Sequence, residues 1–193
     1  MTDILNNRHP EHEIDAMFLD RWSPRAISSQ KLDDETILRL FESSRWSPSC
    51  FNEQPWLFLY AKEDKDLEIF NSILVEKNQL WANKAPLLIY VFARNSFNYN
   101  GEPNSSAQFD CGSAWMSLAL QARKMGLYAH AMAGFNSEKA YELLNVPKDK
   151  YTVMVAIAVG YLGDKEVLPH DMKEKDFPND RKPLEEILKE GKF

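Results

Sequence analysis

The stretch Arg45-Trp46-Ser47-Pro48-Ser49-Cys50-Phe51-Asn52-Glu53-Gln54-Pro55-Trp56 separates a helical pattern from a strand-like one. Its Ser, Asn and Pro residues make it a turn-rich loop, yet it holds Trp46, Phe51 and Trp56. Solvated loops seldom carry such aromatics in so short a span. The loop is therefore expected to press against something flat and apolar, with Ser49, Asn52 and Gln54 supplying a few directed hydrogen bonds.

On its N-terminal side, Leu32 to Arg45 reads as a helix, with Asp33 as N-cap and Leu32 stapled onto Ile37. Ile37, Leu40 and Phe41 mark its buried face. Before it comes Arg21-Trp22-Ser23-Pro24-Arg25, where Pro24 precludes a helix interior. Arg21, Ser23 and Arg25 at alternate positions could converge on a phosphate-like anion or form ordinary surface ion pairs, and spacing leaves both open. The first twenty residues are polar and are expected to form an irregular arm. Within that arm, His9 and His12 read as solvated rather than metal-binding.

On the C-terminal side, Trp56–Ala61 is strand-like, and the charged run Lys62–Asp66 turns into a helix through Leu67, Phe70, Ile73 and Leu74. Asn78–Lys84 reads as a second polar-aromatic loop. Ala85–Ala93 follows as a strand buried on both faces. Arg94–Ala107 is a surface excursion, and Asp110–Ala122 a helix of many small residues. Leu127–Met132 is a short strand broken by Ala133-Gly134. Ser137 caps a helix through Leu144, and Tyr151–Val159 is a strand rich in β-branched residues. A charged tail leads to Arg181-Lys182-Pro183 and a short helix at Leu184–Leu188. Nothing repeats and no linker divides the chain, so residues 1–193 read as a single domain.

The totals exclude several classes. Apolar content of 44% with 12% aromatic argues against disorder, and a net charge of −6 against broad nucleic-acid binding. No apolar run approaches a membrane span, and Met1–Asn7 lacks the pattern of a signal peptide. Cys50 and Cys111 fit neither a disulfide framework nor a zinc site, so two free thiols in a reducing cytoplasm are expected. The seven glycines form neither a dinucleotide fingerprint nor a P-loop. No nucleophile elbow, zinc-binding helix or acid–base carboxylate pair stands out, and His130 reads as a structural imidazole. Polar-aromatic loops and scattered arginines without a catalytic set fit chemistry carried by a bound cofactor, or equally a binding protein with none.

The ordered motifs resemble the FMN-dependent nitroreductase family. Arg21-x-Ser23-x-Arg25 is similar to that family's opening, and Ser44 to Trp56 closely resembles its second signature. Ala85-Pro86, Gly112 with its small-residue helix, Ala131 to Phe135, Gly160-Tyr161 and Arg181 to Glu186 follow in the family's order. The resemblance implies an α+β fold: a mainly antiparallel central sheet flanked by helices, in an intertwined homodimer with FMN at the interface. It also implies NADPH or NADH as donor and nitroaromatic, quinone or related acceptors, reduced by ping-pong hydride transfer through flavin N5.

Carried over by residue, Arg21 and Ser23 resemble the phosphate-holding pair, Arg25 the cation at the pyrimidine edge, and Arg181 the C-terminal phosphate arginine, assisted by Lys182. Trp22 lies between the phosphate ligands and is bulkier than the family's usual residue there, packing outside the site. Pro48, Ser49, Cys50 and Asn52 resemble the loop that a partner subunit lays against the cofactor, with Cys50 standing where Ser is common. Ala133 and Gly134 resemble the segment whose amides approach N5, and Asn78 or Gln79 would reach the pyrimidine edge. The resemblance leaves two other roles open: a flavin-binding sensor or store without turnover, and a specialised reductive dehalogenase or dehydrogenase.

Overall fold

Every residue from Leu87 to Ala93 is buried, and the architecture follows from covering both sides of that run. The computed structural model describes residues 6–193, so the first five residues of the expected arm, and most of the segment compared with a signal peptide, lie outside the described residues. In chain order the elements are α1 (Ala16–Asp20), α2 (Asp34–Arg45), β1 (Trp56–Ala61), α3 (Asp64–Ile73), α4 (Glu76–Ala82) and β2 (Leu87–Arg94). They continue as α5 (Ala107–Lys124), β3 (Leu127–Met132), α6 (Ser137–Leu143), β4 (Tyr151–Tyr161), α7 (His170–Lys173) and α8 (Leu184–Ile187).

The sheet runs β1-β2-β4-β3 and is antiparallel at every pairing, which gives the expected α+β class. Side chains alternate across it with a period of two residues. Leu87, Ile89, Val91 and Ala93, with Ile157 and Val159, pack with residues of α2 and α5. Leu88, Tyr90 and Phe92, with Ala156 and Ala158, pack with Phe70 and Ile73 of α3, Trp81 of α4 and Ala140 of α6. Because helices cover both faces, β2 reads as an unbroken apolar run rather than an alternating one. Each fully buried Leu or Ile in it contributes about 1.5–3 kcal/mol relative to exposure.

Local signals account for the flanking helices. The Asp33 carboxylate accepts the Thr36 N–H at 2.7 Å, and Leu32 and Ile37 join the same apolar group. In α5 the buried Ala107, Ala114, Ala119 and Ala122 let the helix lie close to its neighbours, and Ser44 Oγ of α2 reaches the Ala114 carbonyl at 3.1 Å. Arg123 and Lys124 occupy its last turn, where cations suit the helix dipole.

Four expectations change. Asn78–Lys84 is not a loop: Asn78 to Ala82 lie in α4, with Trp81 and Ala82 buried. A seven-residue helix is too short to display a full apolar period, and the packing against Gly134 that holds it is invisible locally. The arm is not wholly irregular, since Asp15 accepts the Met17 N–H at 2.8 Å and starts α1. Asn136 rather than Ser137 caps α6, accepting from Lys139 N at 3.0 Å. The charged tail contains the single turn α7, with Met172 buried.

Two connections position the arginine-bearing segments and the end of β3. The end of β3 delivers Ala133 and Gly134 to α4, and the end of β4 sends the tail across the segment after Arg25. There Ser28 N–H donates to the Tyr161 carbonyl and Gly163 N–H to the Ala26 carbonyl, each at 2.8 Å. A Cβ on Gly163 would lie 2.9 Å from Ser28 N, so only glycine permits this approach. Among the described residues, no helix is long and apolar enough to cross a membrane.

Candidate functional site

Extended backbone after α1 alternates the side chains of Arg21 to Arg25: Trp22 and Pro24 are buried, while Arg21, Ser23 and Arg25 are half-buried. Arg21 Nη1 donates to Ser23 Oγ at 3.4 Å. Trp22, 5% exposed, turns the other way and meets Tyr128 edge-on at 5.8 Å.

The segment is pinned from two sides. His130 on β3 contacts the Pro24 carbonyl at 2.9 Å through Nδ1, and since a carbonyl only accepts, Nδ1 carries the proton. Burial lowers the His130 pKa and nearby Arg25 adds to this, against the bond to the Pro24 carbonyl and the Asp176 charge, which raise it; the ring lies 4.6 Å from that of Trp81. The buried Asp176 accepts Arg25 N–H at 2.7 Å and Ala26 N–H at 3.2 Å. Two strong donors on its oxygens compensate the cost of burying that carboxylate.

Arg181 arrives on the same tail. Burial lowers the Arg21 pKa, and Arg181 lowers it further; Arg8 is lowered by burial and then by Arg181 and Arg21, while Asp180 opposes. Arg8 bonds the Arg21 and Asn179 carbonyls, so the segments that carry Arg21 and Arg181 lie side by side, and such a gathering of cations suits a bound dianion. Arg8 was not foreseen, because a lone arginine in a polar arm carries no local signal. Lys182 contacts Glu186 at 3.6 Å, and with Arg8, His12, Arg181 and Leu184 it lines a cavity of about 330 Å³.

A second group forms where β3 ends. Asn78 Nδ2 donates to the Gly134 carbonyl at 2.9 Å, and Val75 N–H to the same oxygen at 3.1 Å. A Cβ at Gly134 would stand 2.7 Å from Asn78 Nδ2, so α4 packs directly on this glycine. Gln79 is turned inward, its amide donating to the Leu74 carbonyl at 2.6 Å. Ala133 is exposed beside Gly134.

The Ser47–Gln54 loop is bolted to α5. Ser47 Oγ and Ser117 Oγ share a 2.7 Å hydrogen bond, and the buried Asp110 accepts Cys50 N–H at 3.1 Å. Inside the loop, Gln54 N–H donates to Ser49 Oγ and its side-chain amide to the Asn52 carbonyl. Phe51, Asn52 and Gln54 have φ of 52°, 58° and 50°, a left-handed conformation that non-glycine residues adopt at a cost. The loop is therefore held in shape rather than draped over a flat partner within this chain. Trp46, bonded through Nε1 to Glu42, is 75% exposed. Phe51, edge-on to Phe97 and Tyr99, is 77% exposed. The loop's side-chain hydrogen bonds run to α5, to itself and, through Glu53, to Asn98 N–H, and among the described residues none reaches Arg21, Ser23, Arg25 or Arg181.

Neither thiol joins a reactive set. Cys111 is buried with its pKa pushed up to about 12, first by burial and then by Asp110, and Cys50 is half-buried in the loop. Among the described residues, no group of His, Cys, Asp and Glu could hold a metal.

The sequence model of the nitroreductase family matches residues 19–76 and 62–161. A crystal structure described as an oxidoreductase containing FMN superimposes with a TM-score of 0.93 at 40% identity, covering 97% of this chain and 96% of that one. A nitroreductase family protein of Clostridium difficile shares the fold with a TM-score of 0.73 at 19% identity, over 94% of this chain and all of its own. An Archaeoglobus fulgidus protein, provisionally named an NADH dehydrogenase/NAD(P)H nitroreductase, is 26% identical over 83% of this chain and 87% of its own. With a family match over more than half of the sequence and the expected antiparallel fold, the chain belongs to the nitroreductase family of oxidoreductases.

Proposed function

We propose that the protein is an FMN-dependent NAD(P)H oxidoreductase acting on nitroaromatic, quinone or related acceptors, as a cytoplasmic homodimer. The observation that most supports this is that Arg8 ties the segment of Arg21 and Ser23 to the tail that carries Arg181, through the Arg21 and Asn179 carbonyls. A phosphate dianion is the group such a donor set fits. The FMN-containing crystal structure at 40% identity supports the same ligand.

In this reading Arg21, Ser23 and Arg181, with Lys182 nearby, hold the phosphate. Arg25, its backbone fixed by Asp176, places a positive charge where negative charge develops at the pyrimidine edge. Asn78 fixes the end of β3 from α4, while Gln79 ties α4 back to the Leu74 carbonyl, so that Ala133 and Gly134 present their backbone at a set position. Bound FMN supplies the hydride relay between nicotinamide and acceptor, so the chain needs no nucleophile or acid–base pair. Pro48, Ser49, Cys50 and Asn52 of one subunit would cover the cofactor of the other. Two features support dimerisation: the outward face of α5, with Phe109 at 83% exposure and the exposed Gly112 and Met116, and the neighbouring exposed Phe51.

The test is direct. Purified protein is expected to be yellow with FMN and to bleach when NADPH or NADH is added without oxygen. Colourless protein that takes up no FMN defeats the reading; bound FMN that neither nicotinamide bleaches leaves a flavin carrier instead of an enzyme.

A further inference from the structure

Arg8 stands thirteen residues before Arg21, outside every motif that the chain shares with its family. Its guanidinium nevertheless spans three chain segments. Nη1 donates to the carbonyls of Leu19 and Arg21, each at 2.8 Å, and Nε donates to the Asn179 carbonyl at 2.6 Å. Leu19 belongs to α1, Arg21 opens the phosphate motif, and Asn179 lies two residues before Arg181. Arg181 in turn folds back, its Nη1 donating to the Asp180 carbonyl at 2.9 Å. One side chain thus joins the arm, the motif and the tail, between the segments that carry Arg21 and Arg181.

We infer that Arg8 is a positioning residue for the phosphate cradle: by bonding the carbonyls of Leu19, Arg21 and Asn179 it holds the Arg181 tail against Arg21. The geometry needs a planar fork with several donors, which arginine has and lysine lacks. Arg8 adds a positive charge of its own, so its three charge-assisted bonds to main chain must offset that repulsion as well as tie the tail down. The inference rests on the FMN reading, and it extends the cradle to a residue that need not touch the cofactor.

The test compares full-length parent, Arg8→Ala and Arg8→Lys, stripped of flavin, by fluorescence titration with FMN and with riboflavin, which lacks the phosphate. Arg8→Ala should raise the FMN Kd about tenfold while moving the riboflavin Kd by less than about twofold, the scale of one charge-assisted hydrogen bond. Arg8→Lys should recover only part of the loss. Trypsin should also cut after Arg181 faster in flavin-free Arg8→Ala than in the parent; Lys182, followed by Pro183, is not a tryptic site. Equal weakening of both flavins, no change in either, or full recovery by lysine would overturn the proposal. Parent protein that binds neither flavin would instead sink the functional reading; the cleavage arm needs no flavin, and cleavage at the parental rate would then reject the clip.

Discussion

The arginine cluster is drawn from both ends of the chain, whereas the Ser47–Gln54 loop bonds to itself and to the helix beneath it. Arg8 reaches Asn179 across 171 residues, and Asp176 reaches Arg25 across 151. In the loop, Ser49 meets Gln54 over five residues, and its longer bonds end on α5 and on Asn98. The first region collects charge, with Arg8, Arg21 and Arg25 half-buried and Arg181 exposed. The second spends backbone strain to present Phe51 and its neighbours outward. On the proposed reading, the difference teaches that one chain carries two unlike halves of a site: a cradle closed by its own tertiary contacts, and an outward-facing loop that would cover the site of a partner.

The largest expected effect is on the cradle. Arg21→Ala should weaken FMN binding about 10–100-fold by equilibrium titration, whereas Lys148→Ala, removing a surface partner of Glu138, should not change it measurably. FMN affinity equal to the parent would mean that the cluster is only structural.

Next, Phe109→Glu on the outward face of α5 should weaken self-association by about 2 kcal/mol or more, seen as monomer by size exclusion, and should lower FMN retention with it. A monomer that keeps FMN fully would break the comparison, since the cover would then not come from a partner.

A smaller effect is expected within the loop. Asp110→Ala leaves Cys50 N–H without its acceptor and should cost about 1–2 kcal/mol in urea unfolding, with faster alkylation of Cys50 while buried Cys111 stays protected. Unchanged alkylation would show that the strained loop holds its shape without the bolt.

The smallest effect is a pH slope. His130 in the folded protein lies below its ordinary 6.5, so the unfolded chain binds more protons between the two values. That part of the stability is complete above 6.5 and is lost as pH falls through the folded value. Urea midpoints should therefore drop on acidification, and His130→Gln, which can still donate to the Pro24 carbonyl, should flatten the curve. An identical curve would remove His130 from the account.

Much of the fold was legible locally. Asp33 capped its helix, the run to Ala93 was buried on both faces, and all four strands lay where apolar pattern put them. The miss at α4 has a physical cause: seven residues bury only Trp81 and Ala82, and what fixes them is Gly134, far along the chain. In the site, Arg21, Ser23, Arg25 and Arg181 were readable as motif positions, while Arg8 and Asp176 were not, because each joins the N-terminal segment to the tail by bonding main chain 150 or more residues away, Arg8 at Asn179 and Asp176 at Arg25 and Ala26.

The sequence by itself determined most of the elements and, through its ordered motifs, the family resemblance that implied the antiparallel class, since periodicity, caps and motifs act over a few residues. Only the tertiary structure decided that Arg8 ties the Arg21 segment to the Arg181 tail, that Asp176 and His130 hold the segment between Ser23 and Ala26, and that the opening loop faces outward from α5. Those outcomes depend on long-range pairings whose partners carry no local signature, because a buried carboxylate or an arm arginine becomes meaningful only once the chain has closed around it.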